Sequence, residues 1–539
     1  MNRKKLLLPL LFIFVMILWG CSGGGQAASE NAAGNRAEAA QADNSAPNSG
    51  EAPGTDEKAP QELVIADQEI AAALDPVQPL TSSYLIAIGA GETLFKADPE
   101  GKIRPVLADS AEAIDANTWE ISLNPEAKFW SGKKVDAEAV VASLERSREL
   151  DKQVVPYIQD LTFSAVNAST LQVETARENM DVPLNLSSYQ TLIHNAEAAY
   201  DSVDTMDLSG MYKVTAFEPQ KRMELAVNEN YRGTKPAIAR VVHEQISDEQ
   251  TRVLSVLSGA SHIAHKLPVS AIEQLQAEDT VTLATTPASN TQTVYLNLDQ
   301  PKFQDVRVRQ ALSWGIDRQE LILQAAEGQS FPVTTWLSSN PAFAEARSAV
   351  YAQYDPEQAG RLLDEAGWVP DGSGIRMKNG EPLTLSLMTW GGDRALGETL
   401  QYQWAQLGIQ AEIQHGDYSL IETARETGKW DAFIEAWSTF GEPHTLLTGQ
   451  YSPEGGGNYG GFDDARANEL LAQLEGASDE ASRHALALEA NTYIAEQAPV
   501  ISLYPRPQVT AVSSTLEGFV DHFRPFENLV NEHLKFVSP

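Results

Sequence analysis

Residues 295–323 read YLNLDQPKFQDVRVRQALSWGIDRQELIL. Val294, Leu296 and Leu298 alternate with Tyr295 and Asn297, the two-residue period of a short strand. Pro301 then stops it, because proline has no N–H to give to a sheet ladder. A helix follows: Asp305 is placed to cap it, and Val308, Ala311, Leu312 and Gly315 recur at the spacing of one apolar stripe. Asp317 and Glu320 fit a capping box with an acidic cap, opening a second helix that carries Leu321 and Ile322. The chain therefore leaves one packed unit here and starts another.

The same run resembles the signature crossing segment of the family 5 (peptide and nickel type) substrate-binding proteins of ABC importers, N-x-x-x-x-P-F-x-D-x-R-V-R-Q-A-L-x-x-A-I-D-R. Asn297, Phe303, Asp305, residues 307–312 and residues 316–318 fall in register, while Lys302 replaces the more usual proline and Gly315 an alanine. The resemblance implies an α/β, two-lobed periplasmic-binding-protein-like fold of type II, with an extra N-terminal subdomain and a hinge cleft. It extends over residues 62–539, and divides the chain into an N-terminal lobe at 61–294, with the extra subdomain at about 95–205, a second α/β lobe at 295–505 and a return to the first lobe at 506–539.

Composition agrees with a chain of that size. With 539 residues and 42% hydrophobic content it buries a large core and divides into domains. Its one cysteine, Cys21, excludes an internal disulfide or a cysteine metal cluster. Lys4 and Lys5 precede an apolar run at residues 6–19, about 14 residues long, which suits a signal peptide better than a membrane span of about 20. Leu18-Trp19-Gly20-Cys21 resembles a lipoprotein box, although Trp19 is bulky for that place. Residues 1–20 are then a signal peptide, with a lipid on Cys21 holding the protein to the outer face of the cell membrane. Residues 21–60 are rich in Gly, Ala, Asn, Ser and Glu and poor in large apolar side chains, the composition of a flexible tether. The formal charge of −35 becomes still more negative once Arg3, Lys4 and Lys5 leave, which argues against nucleic acid as a partner.

In the first half, residues 63–66 read as a strand. The run YLIAIGAGETL at residues 84–94 offers Tyr84, Gly89 and Gly91, where small residues allow close approach by a ligand or by another chain segment. The resemblance places this run at the edge of the cleft. Residues 118–123 alternate as a strand and a helix begins near Val135; Trp119, Phe129, Gly132 and Ala137 match the family's hairpin block, which assigns Trp130 to packing. Residues 208–214 and 228–233 resemble the family's G-T-G-P-Y and N-x-x-Y-x-G turns. His262 and His265, three apart, would share a face only in a helix, and two imidazoles without a third ligand leave a metal site unassigned.

Periodicity is clearest in the second half. Asp355 caps a helix with Pro356 at its first position and Gly367 at its end. Strands at residues 383–387, 409–413 and 430–437 alternate with helices at 396–407 and 420–427, implying parallel pairing through right-handed crossovers. Ligands of such sheets meet the carboxyl ends of strands beside helix N-termini. That rule selects the loops at 390–394 and 437–444, with Trp390, Arg394, Trp437, Thr439, Phe440 and His444 as candidate contacts. Indole and phenyl rings stack on planar groups and Arg394 can fork onto a carboxylate; the competing account is that the tryptophans close the top of the sheet. Asn458 and Tyr459, in a stretch resembling the family's N-Y-x-G-Y, complete the set. Peptide-binding members carry an aspartate after the Trp of this loop to hold the free amine. Residues 436–444 lack it and end in Glu442-Pro443-His444, closer to the nickel or metal-chelate branch.

No nucleophile elbow, H-E-x-x-H, Walker loop or dinucleotide fingerprint is present, so no enzyme activity is assigned and no cofactor is expected. The resemblance implies a monomeric lipoprotein that captures a small solute, a peptide or a nickel or other metal chelate, and delivers it to an ABC permease with its ATPase subunits. A lipoprotein sensor using the same lobes without transport is the alternative.

Overall fold

The computed structural model describes residues 62–348, 353–477, 479–524, 527 and 529–537; the expected signal peptide, Cys21 and tether lie outside them. The first half opens with β1 (Glu62–Asp67) and the helix α1 (Thr81–Ala87), into which Tyr84 is built. A separate four-stranded sheet follows, made of β2 (Ala108–Asp115), β3 (Thr118–Leu123), β4 (Leu161–Asn167) and β5 (Thr170–Thr175). It is antiparallel throughout, in the order β2-β3-β5-β4. The helix α2 (Ala137–Leu150), capped by Asp136 through the Ala139 N–H, covers it with Val140 and Leu144 on Phe129 and Val173. Next come β6 (Tyr212–Glu218), β7 (Arg222–Val227), β8 (Arg240–Gln245) and the two-residue β9 (Ile263–Ala264). Trp130 is buried with Leu63, Leu85 and Tyr212 in the core of this half.

The crossing is made by β10 (Val281–Leu296) and later by β14 (Val500–Ser513), which pair antiparallel along almost their whole length. The alternation at residues 294–298 marks only the tail of β10. Its polar stretch is no less buried, for Thr291, Gln292 and Thr293 lie inside the molecule. The ladder breaks between Pro287 and Thr291, opposite Pro507 and Pro505, where two prolines cannot donate. One end of the pair belongs to the first half's strands and the other to the second's, and a single ten-stranded sheet results, in the order β12 (Gln410–Gly416), β11 (Thr384–Trp390), β13 (Ala432–Ser438), β10, β14, β9, β1, β8, β7, β6.

Beyond the crossing stand α3 (Val306–Trp314) and α4 (Arg318–Ala326), capped as expected by Asp305 and Asp317. The reciprocal half of the capping box is replaced: the Asp317 N–H donates to Gln403 Oε1 at 3.1 Å. Then follow α5 (Pro356–Glu365), β11 (Thr384–Trp390), α6 (Arg394–Gln406), β12 (Gln410–Gly416), α7 (Ser419–Thr427), β13 (Ala432–Ser438), α8 (Pro443–Tyr451), α9 (Ala465–Glu475) and α10 (Glu480–Gln497). β11 pairs parallel with both β12 and β13, as the alternation of strands and helices predicts. The apolar faces of α3 to α6 close over one side of these strands, with Trp404 at 0% exposure in the middle.

The residues that carry the crossing motif act as fasteners. Asn297 Nδ2 donates to the Trp430 carbonyl at 2.9 Å, tying the end of β10 to the start of β13. The Arg309 guanidinium reaches the Phe303 and Gln497 carbonyls, and Arg318 those of Ser502 and Ser313. Gly315 stands where the family has alanine because a Cβ there would press into Leu407.

Candidate functional site

The order of strands decides where a ligand can sit. The chain goes from β11 to β12 on one side and returns to β13 on the other, so the sheet's winding reverses between β11 and β13. In open α/β sheets, crossovers that run in opposite directions from such a point leave a crevice above the carboxyl ends, and that is where ligands bind. Trp390 ends β11 there, and Trp437 and Ser438 end β13. Gly391, at φ 54°, turns the chain sharply from β11 into α6; Gly391 and Gly392 leave open space where side chains would stand.

One wall of the crevice is aromatic and charged. Trp390 meets Tyr418 edge-on at 5.0 Å, and Trp437 lies 6.3 Å from Tyr459. Below them Glu435, nearly buried on β13, accepts from the Tyr418 hydroxyl at 2.7 Å, with Arg425 Nη1 at 3.5 Å. Arg425 also lies over the Tyr459 ring at 4.3 Å. Burial raises the Glu435 carboxyl above its ordinary value, against the opposing pull of Tyr418 and Arg425. A second buried acid, Asp393, begins α6; it accepts from Gln292 Nε2 at 2.7 Å, and Arg506 stands 3.5 Å away. Burial raises this carboxyl too, while Arg506 and Gln292 hold it down.

The candidates named from sequence fall into three places. Trp390, Trp437 and Tyr459 come together at the crevice. Asn458 supports Tyr459: its side chain donates to the Ser452 and Phe462 carbonyls and accepts from the Phe462 N–H, so the turn consumes it. Arg394 is turned outward and pairs with Glu398 at 2.9 Å. A second group lies where the second half meets the first. Thr439 is fully buried and bonded to Ser289 and Ser339. Phe440 packs on Phe523, Ala97 and the Arg524 guanidinium. His444 Nδ1 takes a hydrogen bond of 3.0 Å from Arg177, a residue just beyond β5. The third group is in the first half's core: Tyr84 is buried, its hydroxyl 3.3 Å from Glu69, Gly89 faces Met211 and Gly91 faces Leu192. The close approach at both glycines is by other segments of the chain.

His262 and His265 flank β9 instead of lying on a helix, so they point to different neighbours. His262 accepts from the Val64 N–H and His265 Nδ1 bonds to Thr510. Burial pushes His265 down to about 4. Among the described residues no three His, Cys, Asp or Glu side chains gather to hold a metal ion.

Sequence reasoning missed Glu435, Arg425, Asp393, Gln292 and Arg506. Glu435 left a signal, a carboxylate in the middle of the apolar run Phe433-Ile434-Glu435-Ala436-Trp437. Gln292 and Arg506 left none, because they meet Asp393 only through the crossing of β10 and β14.

A family model for bacterial extracellular solute-binding proteins, family 5 (middle), matches residues 102–458. The chain belongs to this family. Among relatives, the nickel-binding protein NikA of Staphylococcus aureus is 22% identical over 82% of this chain and 88% of its own length. Its structure in complex with Ni(L-His)2 superposes on this family 5 protein with a TM-score of 0.73, at 20% identity, over 88% of this chain and all of that one. The glutathione-binding protein GsiB of Escherichia coli O1:K1 is 25% identical over 85% of this chain and 92% of its own. NikA from Brucella suis, solved in complex with Fe(III)-EDTA, has a TM-score of 0.79 at 21% identity, again over 88% and 100%. The fold is thus that of the two-domain binding proteins, and the family 5 protein is a solute-capturing component of an ABC importer, working outside the cytoplasm.

Proposed function

We propose that this family 5 protein captures a metal held in a small organic chelator, between a lobe spanning residues 61–294 with its extra subdomain at 95–205 and a second lobe at 295–505, with residues 506–539 returning to the first. The observation that carries the reading is the set of rings, Trp390, Trp437 and Tyr459, standing over Glu435 and Arg425 where the winding of β11 and β13 reverses. Flat conjugated ligands stack on such rings, and the buried charges below fix their orientation. In this reading the metal arrives with its ligands already in place. Residues 436–444 lack the aspartate with which peptide-binding members hold a free amine, which weighs against peptides. A lipid on Cys21 holds the protein to the outer face of the membrane, beside the permease that takes the solute. It catalyses no reaction.

Native mass spectrometry of the protein purified from its own host tests the reading. One retained adduct with a metal isotope pattern is expected. A ladder of masses spaced by amino-acid residues would replace the chelate with a peptide.

A further inference from the structure

Phe440 is buried among residues of the other half. It sits on the turn between β13 and α8, at 8% exposure. The side chains that cluster with it, Ala97, Phe523, Ile103 and Leu184, come from the first half or from the returning C-terminal segment. Phe523 meets its ring edge-on at 5.0 Å, and the Arg524 guanidinium lies over it at 5.0 Å. A ring seated in this way passes into water when the two halves draw apart.

Residues 521–524 run beside the crossing as a strap that shapes this seat. The Thr286 hydroxyl donates to Asp521, and Gln508 Nε2 to the His522 carbonyl at 3.1 Å, which ties the strap to the ladder on the first half's side of its break. His522 Nε2 donates to the Ala97 carbonyl at 3.2 Å, while Arg524 Nη1 reaches the Ser187 carbonyl at 3.1 Å and Glu527 at 2.8 Å. Past Pro287 the partner changes. The Ser289 N–H donates to the Phe523 carbonyl at 2.8 Å, and the Ser289 carbonyl accepts from the Thr439 N–H at 2.7 Å, one step beyond the Asn290–Ser438 pair of β10 and β13. Buried backbone groups need partners, so where the crossing ladder fails the strap takes its place. The second half meets the strap through the Ser289 bond and the Phe440 ring.

We propose that the strap is a latch for closure: as the halves come together about the break at Pro287 to Thr291, Phe440 seats on Phe523 and Arg524, and the protein rests closed before any solute arrives. Glu527 and Ser187 hold Arg524 in place, so the seat is formed before the ring reaches it. Part of the free energy of closing then comes from the chain itself, and a solute gripped by the closed form has less of the equilibrium to shift.

Small-angle scattering of the solute-free protein at about pH 7.5, where His444 is neutral, tests the latch. Phe440→Ala lowers the ratio of closed to open molecules by roughly ten- to a hundredfold, the range for moving a phenyl ring from a packed site into water, and the radius of gyration rises. Phe440→Leu, which still fills part of the seat, falls between this variant and the wild type. Thermal unfolding checks that each variant folds, and if Phe440→Ala does not, Phe440→Leu carries the comparison. A radius of gyration that stays at the wild-type value in the folded variants overturns the latch. No solute enters the measurement, so its outcome is independent of the chelate reading.

Discussion

Arg309 shows why a motif can be legible while its purpose is not. Its place in the sequence fits the family pattern, and nothing in that pattern says whether it meets a ligand or the chain. In the structure it is buried, with Nη1 2.6 Å from the Phe303 carbonyl and Nη2 2.7 Å from that of Gln497. Burial pushes its guanidinium down to about 10, which still leaves it charged at neutral pH. Arg309→Met keeps the aliphatic bulk but strands both carbonyls, and is expected to lower stability by about 2–4 kcal/mol in urea unfolding. Solute affinity of the folded variant should be unchanged; a loss of affinity at full stability would assign Arg309 to the site instead. Trp390 and Trp437 could be singled out because rings at strand ends are a local pattern, and Tyr459 because its stretch resembles the family's N-Y-x-G-Y. Gln292 and Arg506 could not, since they are 214 positions apart in numbering and meet only across a ladder that polar residues conceal.

At the scale of elements, the second half was readable because its helices and strands obey separate periods and are stopped by their own caps. The crossing strands were read only in part. β10 is polar over a stretch as buried as its apolar tail, because Thr291 bonds to the Trp336 carbonyl and Gln292 to Asp393, so burial there does not show as alternation. The helix α1 was hidden for a related reason: Thr81, Ser82 and Ser83 are polar yet buried. The contact between the end of α3 and the end of α6 offers a test of packing. Gly315→Ala restores the residue usual in the family, but its Cβ would run into Leu407. Overpacking of this kind typically costs about 1–3 kcal/mol. The double variant Gly315→Ala, Leu407→Ala should therefore lose less stability in chemical unfolding than the sum of the two single changes. Simple additivity would show that α6 moves away at no expense.

For the whole molecule the telling contact is the one between Arg177, beyond β5, and the N-terminus of α8. Arg177 Nη1 lies 3.0 Å from His444 Nδ1 and Nη2 3.4 Å from Thr445 Oγ1, with Asp160 at 3.4 Å and Glu442 at 3.8 Å. Arginine only donates, so His444 accepts here and must be unprotonated at that nitrogen. Burial holds the imidazole below its ordinary value, and Arg177 adds to this while Glu442, Glu475 and Asp160 oppose it. With the lobes apart, His444 returns towards its ordinary value, near 6.5. A depressed histidine supports the closed state fully above that value and loses it as pH falls below, when an imidazolium would face a guanidinium. Small-angle scattering of the solute-free protein should then show a larger radius of gyration at about pH 5.5 than at about pH 7.5. His444→Gln, whose amide oxygen still accepts from Arg177 but does not titrate, should remove most of the change. His522, buried against the Ala97 carbonyl and Glu527 and also held low by burial, accounts for any residue. If the full expansion persists in His444→Gln, acid opens the molecule elsewhere and the Arg177 contact is a passive one.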